Sequence, residues 1–99
     1  MRLGIIGGTG PAGRGLAIRA AHAGHAVVIG SRDAERATAT ADELRGAADL
    51  ALEGAANEQA ALCELVVAAT PWDALVATMR PLADAVAGKV VVSMANALV

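Results

Sequence analysis

The chain has 99 residues, a formal net charge of −2 and 56% hydrophobic residues, which fits one small folded domain. The near-neutral charge and the single aromatic residue argue against nucleic-acid binding, which needs a basic surface and aromatic platforms. The sequence has no apolar run long enough to span a membrane and no leader-like start. Because Cys63 is the only cysteine, no internal disulfide can form, and we expect a cytoplasmic protein.

Apolar runs alternate with helical stretches along the whole chain. The predicted strands span residues 2–7, 26–30, 49–52, 65–70 and 90–94. The predicted helices span residues 11–23, 33–44, 58–63 and 71–86, with Asn57 as an N-cap and a break at Pro81. This alternation predicts one α/β domain over residues 1–99, a Rossmann-type doubly wound parallel sheet flanked by helices, with strand order 3-2-1-4-5.

The first strand leads directly into the motif Gly8-Thr9-Gly10-Pro11-Ala12-Gly13 and then into a helix. The order strand, G-x-G-x-x-G, helix is the fingerprint of dinucleotide binding. We expect Gly8 to allow the tight turn, Gly10 to let a pyrophosphate approach the backbone, and Gly13 to let the helix pack closely. Thr9 is expected to reach a phosphate or to cap the helix. The alternative is a glycine-rich turn that binds no ligand.

The end of the second strand indicates which dinucleotide binds. NAD enzymes usually carry Asp or Glu there, whereas this chain reads Gly30-Ser31-Arg32-Asp33 and then Arg36. A hydroxyl and two guanidinium groups suit a 2′-phosphate, so the sequence favours NADP over NAD. Asp33 is expected to cap the next helix. The alternative is that both arginines are solvated surface charges.

Thr70-Pro71-Trp72 follows the fourth strand, at the edge of the sheet where ligands of such folds bind. Trp72 is expected to form a wall for the nicotinamide half of the cofactor, with a buried packing role as the alternative. Ser93 and Asn96 either face the cofactor or serve a turn. Cys63 is expected to be a buried apolar residue. No arrangement typical of nucleophilic or acid–base catalysis or of metal binding is present, so we name no catalytic residue and no metal ligand.

The sequence resembles the NADPH-dependent coenzyme F420 reductases, also called F420H2:NADP oxidoreductases. The resemblance covers essentially all 99 residues, but only the amino-terminal part of the usual chain of that family. Ferric reductases with a related cytoplasmic domain and pyrroline-carboxylate reductases share the general fold. The segments that carry the resemblance are Gly7-Gly8-Thr9-Gly10 with Gly13, Gly15-Leu16-Ala17, Gly24-His25, Gly30-Ser31-Arg32 and Pro71-Trp72.

The resemblance implies that NADP(H) is the cofactor and that the deazaflavin coenzyme F420 is the co-substrate. It implies that Thr9, Gly10, Pro11 and Ala12 line the pyrophosphate, and that the segment around Trp72 borders the nicotinamide. It also implies that Ser31, Arg32 and Arg36 hold the 2′-phosphate. Ala74 stands where the family commonly has a histidine, so one polar contact is expected to be lost. The family's later segments, which help to bind the deazaflavin and to build the dimer, are not part of this sequence.

Three functions follow from this reading. The first is the NADP(H)-binding part of an oxidoreductase that exchanges hydride with a small-molecule donor or acceptor, with poor turnover or none expected from this chain alone. The second is a nucleotide-binding or sensing module without hydride transfer. The third is an NADPH-dependent reductase of another substrate, such as an imine or ferric iron. We also expect the fifth strand and residues 97–99 to leave apolar surface that favours association, including a homodimer.

Overall fold

Five parallel strands form one sheet in the order β3-β2-β1-β4-β5, as the sequence predicts. The structure is a computed structural model and describes residues 1–94. The strands are β1 Arg2–Ile6, β2 Ala26–Ser31, β3 Leu52–Ala56, β4 Leu65–Ala68 and β5 Val90–Ser93. The strand order reverses at β1 and β4, because β2 and β3 lie on one side of β1 and β4 and β5 lie on the other. The carboxyl ends of β1 and β4 therefore flank the crevice in which such sheets bind ligands.

Helices cover both faces of the sheet. They are α1 Pro11–His22, α2 Ala34–Arg45, α3 Asn57–Ala60, α4 Leu75–Met79 and α5 Ala83–Val86. Short 3-10 turns, Trp72–Ala74 and Arg80–Leu82, precede α4 and α5. The predicted break at Pro81 is confirmed, because the stretch from residue 72 to residue 86 is divided into short segments around it.

The central strand β1 is buried on both faces. Ile5 packs with Ala17 and Ala37 on one face, whereas Ile6 packs with Ala60 on the other, and all five are completely buried. A strand that lies between two helical layers needs no polar face, which explains the continuous apolar run.

Glycine and alanine let the helices approach the sheet closely. A Cβ atom at Gly4 would lie 1.9 Å from the carbonyl oxygen of Ala60, in α3. A Cβ atom at Gly54 would lie 2.1 Å from the carbonyl oxygen of Ala37, in α2. Helix backbone therefore approaches strand backbone directly at these two glycines, and small side chains suffice to fill the remaining space in a chain without Phe or Tyr.

The predicted third strand was placed too early in the chain. β3 spans Leu52–Ala56 instead of residues 49–52. It pairs with β2 in a register that begins with Val27 opposite Leu52 and ends with Ser31 opposite Ala56. The sequence of this strand has no β-branched residue, so its conformation depends on pairing with β2 and on packing under α2. Asn57 is consequently the first residue of α3 and not its N-cap, which is Ala56.

The edge strand β5 presents apolar side chains to solvent. Val90, Val91 and Val92 are exposed although they lie in a strand. The predicted apolar surface is thus present for β5, whereas Asn96 and residues 97–99 lie outside the described residues. Among residues 1–94, none of the helices has the length and apolar character needed to cross a lipid bilayer.

Candidate functional site

An open cleft of about 1020 Å³ lies at the carboxyl ends of β1, β2 and β4. All the predicted site residues except Gly8 and Gly13 line it, and they come from three separate parts of the sequence. These lining residues are Thr9, Gly10, Pro11, Ala12, Ser31, Arg32, Arg36, Thr70, Pro71, Trp72 and Ala74. The fold therefore brings the three predicted motifs to one surface, and their roles toward a ligand remain predictions.

Three glycines shape the turn after β1, and their roles differ in part from those that the motif predicts. Gly7 has the positive φ of +66°, whereas Gly8 has none, so the conformational demand of the turn falls on Gly7. Gly8 is needed for space, because its Cβ would lie 3.0 Å from the carbonyl oxygen of Ile5. A Cβ at Gly13 would lie 2.7 Å from the Cα of Gly8, which agrees with its predicted role in close packing of α1.

Gly10 is the glycine of the motif that no steric contact within residues 1–94 explains. A Cβ placed on Gly10 would meet no atom of residues 1–94 within 4 Å, and its backbone angles, φ −80° and ψ 173°, suit any residue. The open space lies above the first turn of α1, where backbone N–H groups lack intrahelical partners and favour an anion. Gly10 is also the N-cap, without a side-chain hydrogen bond, so the expected capping by Thr9 is wrong.

Asn57 is a site residue that the sequence analysis missed. Its side chain is 4% exposed and lines the cleft, and its Oδ1 accepts a hydrogen bond from the backbone N–H of Gly7 at 3.0 Å. Asn57 therefore links the turn after β1 to the end of β3. It also lies close against β2, because a Cβ at Gly30 would lie 2.7 Å from the same oxygen. The only signal for Asn57 in the sequence is its polar side chain directly after a strand. This signal is hidden when the third strand is predicted to end at residue 52.

Two arginines follow β2, one directly after the strand and one in the first turn of α2. Arg32 and Arg36 are exposed, and neither takes part in an ion pair within residues 1–94. Ser31 Oγ accepts a hydrogen bond from the N–H of Asp33 at 3.2 Å, so its own hydrogen remains available to a ligand. Asp33 Oδ1 accepts from the N–H groups of Glu35 and Arg36 at 3.0 and 3.3 Å, which confirms the predicted N-cap.

The far wall of the cleft carries a buried hydroxyl and an exposed indole. Thr70 is 8% exposed, and its Oγ1 has no hydrogen-bond partner among the described residues. Trp72 is 57% exposed, so the alternative of a buried packing role is wrong. Beyond the cleft, Cys63 is buried as predicted, and burial raises the pKa of its thiol. In the described part of the chain, no three His, Cys, Asp or Glu side chains gather as a metal site would require.

The fold and this cleft define a Rossmann-type dinucleotide-binding domain. The family described as "NADP oxidoreductase coenzyme F420-dependent" matches residues 2–97. The chain belongs to that family, which confirms the resemblance drawn from the glycine motif, Gly30-Ser31-Arg32 and Pro71-Trp72.

Individual relatives agree with this assignment. The chain is 44% identical over 96 residues to the F420-dependent NADP reductase of Methanothermobacter thermautotrophicus, a match that covers 93% of this chain and 41% of the relative. It is 32% identical to the protein of the same name from Methanocaldococcus jannaschii, covering 95% of this chain and 44% of the relative.

A solved structure shares the fold. The crystal structure of a protein from Arthrobacter sp. FB24 superposes with a TM-score of 0.80 at 31% identity. The match covers 95% of this chain and 45% of that chain. This chain therefore spans less than half the length of the relatives it matches.

Proposed function

We propose that this chain is the NADP(H)-binding part of an oxidoreductase that transfers hydride between NADP(H) and the deazaflavin coenzyme F420. The observation that carries the proposal is the pair of free arginines, Arg32 and Arg36, beside Ser31 in the same cleft as the glycine turn. Membership of the family supports the same cofactor and co-substrate.

Three features of the cleft fit a bound NADP(H). The space above Gly10 admits a pyrophosphate that a side chain would displace. The free guanidinium groups supply the planar, charged donors that a 2′-phosphate prefers. The partnerless hydroxyl of Thr70 lies on the wall where the nicotinamide half would bind.

Each part of the cleft then has a role toward one part of the dinucleotide. Ser31, Arg32 and Arg36 bind the 2′-phosphate, with the hydroxyl of Ser31 donating to a phosphate oxygen. Thr70, Pro71, Trp72 and Ala74 border the nicotinamide half, and the pyrophosphate lies over the glycine turn. Gly8 and Gly13 act indirectly, because they shape that turn. The turn residues that contact the pyrophosphate are Thr9, Gly10, Pro11 and Ala12.

Bound NADPH would supply the hydride, so the residues of this chain would hold and orient the cofactor and would not transfer a proton. Alignment of the two rings at close range accounts for much of the rate of such a transfer. Trp72 offers a flat apolar surface at the side of the cleft where the second ring must approach. We therefore assign no catalytic residue.

The experiment that tests the proposal measures NADPH binding and then NADPH oxidation with F420 as the acceptor. We expect residues 1–99 to bind NADPH and to oxidise it slowly, with the enzyme of Methanothermobacter thermautotrophicus as the positive control. No binding at millimolar NADPH would contradict the proposal. Faster oxidation with an imine or a ferric salt would reassign the acceptor. Binding without transfer by a chain that includes the later segments of the family would leave a nucleotide-binding module.

We further propose a cytoplasmic protein that associates as a homodimer through its exposed β5 edge. β5 is the last strand of the sheet, so its outer edge has no partner strand among the described residues. The side chains of Val90, Val91 and Val92 are also exposed, and the two features together favour pairing with the same strand of a second copy. We expect sedimentation to show a concentration-dependent monomer–dimer equilibrium, and Val92→Lys to shift it toward monomer. A monomer at every concentration would contradict this expectation.

A further inference from the structure

A carboxylate lies among the cations at the end of β2. Asp33 lies between Arg32 and Arg36 in the sequence. It is exposed and lines the cleft. Its Oδ1 accepts only from the backbone N–H groups of Glu35 and Arg36, and neither neighbouring arginine pairs with it in the described residues. The negative charge of Asp33 is therefore not neutralised by an ion pair.

This arrangement has two effects on an anion that binds beside it. Two N–H groups in the first turn of α2, those of Glu35 and Arg36, are already used by Asp33, so they are not available to a phosphate there. The carboxylate also repels a phosphate, which carries about −1.5 to −2 charges at neutral pH. Both effects weaken the binding of a phosphate, which the side chains of Ser31, Arg32 and Arg36 favour.

We propose that Asp33 is a specificity-determining residue that limits the preference of this site for NADP(H) over NAD(H). The inference rests on the proposed function, since it assumes that the 2′-phosphate binds at the end of β2. The repulsion acts only on the cofactor that carries this phosphate. NAD(H) has a hydroxyl at the same place and lacks the charge.

The capping role of Asp33 allows the charge to be removed without loss of the cap. Asparagine is as good an N-cap as aspartate, so Asp33→Asn keeps an oxygen for the N–H groups of Glu35 and Arg36. The matched control is Glu35→Gln, which changes the net charge equally, two residues away, at an exposed position that does not line the cleft.

The test compares dissociation constants for NADPH and NADH by fluorescence titration at low salt. We expect Asp33→Asn to tighten NADPH binding about fivefold and to change NADH binding less than about twofold. Glu35→Gln should move NADPH binding by less than about twofold, because its charge is more distant and lies in solvent. Added salt should reduce the gain from Asp33→Asn.

Other outcomes overturn the inference. Unchanged NADPH binding in Asp33→Asn would show that its charge does not act on the 2′-phosphate, and an equal gain in Glu35→Gln would show an effect of net charge only. Weaker NADH binding in Asp33→Asn would make Asp33 a ribose ligand instead. If the unmodified chain bound neither cofactor, both this inference and the proposed function would fall, whereas the other outcomes leave the proposed function intact.

Discussion

Gly13→Ala is expected to destabilise the domain by about 3 kcal/mol, a large share of the stability of a small domain. The added Cβ would lie 2.7, 2.8 and 2.9 Å from the Cα, oxygen and carbonyl carbon of Gly8. These are backbone atoms, so the clash cannot be relieved by rotating a side chain, and α1 must move away from the turn. Urea denaturation of the variant and of the unmodified chain measures the difference.

Gly10→Ala is the matched variant in the same motif. Its Cβ would meet no atom of the described part of the chain within 4 Å, so we expect the free energy of unfolding to change by less than about 1 kcal/mol. We expect NADPH binding to weaken by about tenfold or more, since the methyl group occupies the approach of the pyrophosphate. Gly10→Ala with unchanged NADPH affinity would contradict the placement of the pyrophosphate, and an equally stable Gly13→Ala would contradict the packing argument.

Arg32→Ala and Arg36→Ala are each expected to weaken NADPH binding about tenfold and to leave NADH binding nearly unchanged. Each guanidinium is free of other ion pairs in residues 1–94, so its charge is available to the 2′-phosphate and its loss removes a charge-assisted hydrogen bond. Isothermal titration with both cofactors measures the effect. Ionic strength should reduce it, because both side chains are exposed.

The control for the two arginine variants is Arg19→Ala. Arg19 is exposed in the last turn of α1 and does not line the cleft, yet its removal changes the net charge equally. We expect it to bind both cofactors like the unmodified chain. Equal weakening of NADPH and NADH in Arg32→Ala would show that the arginine acts on a part common to both cofactors.

Local signals were sufficient for most of the sheet and for the three motifs of the cleft. β1 and β4 are continuous apolar runs because helices cover both of their faces, and the end of β2 is marked by Ser31 and Arg32. β3 was misplaced because its sequence, Leu-Glu-Gly-Ala-Ala, has little intrinsic preference for a strand. Its Gly54 is explained only by the contact with α2.

The parts of the site that sequence reasoning missed depend on contacts between distant residues. The hydrogen bond from Gly7 to Asn57 joins positions 50 residues apart, and no local pattern indicates it. The positive φ likewise falls on Gly7, one residue before the motif to which the turn was assigned. Both features concern how the turn is held, whereas its place at the end of β1 follows directly from the motif.

The most direct test of the account is a titration of residues 1–99 with NADPH and, separately, with NADH, at low and high salt. We expect tighter binding of NADPH, with a preference over NADH that falls as salt is added, because exposed arginines recognise the 2′-phosphate. Equal binding of the two cofactors, or no binding of either, would contradict it and would leave the glycine turn as a feature of the fold alone.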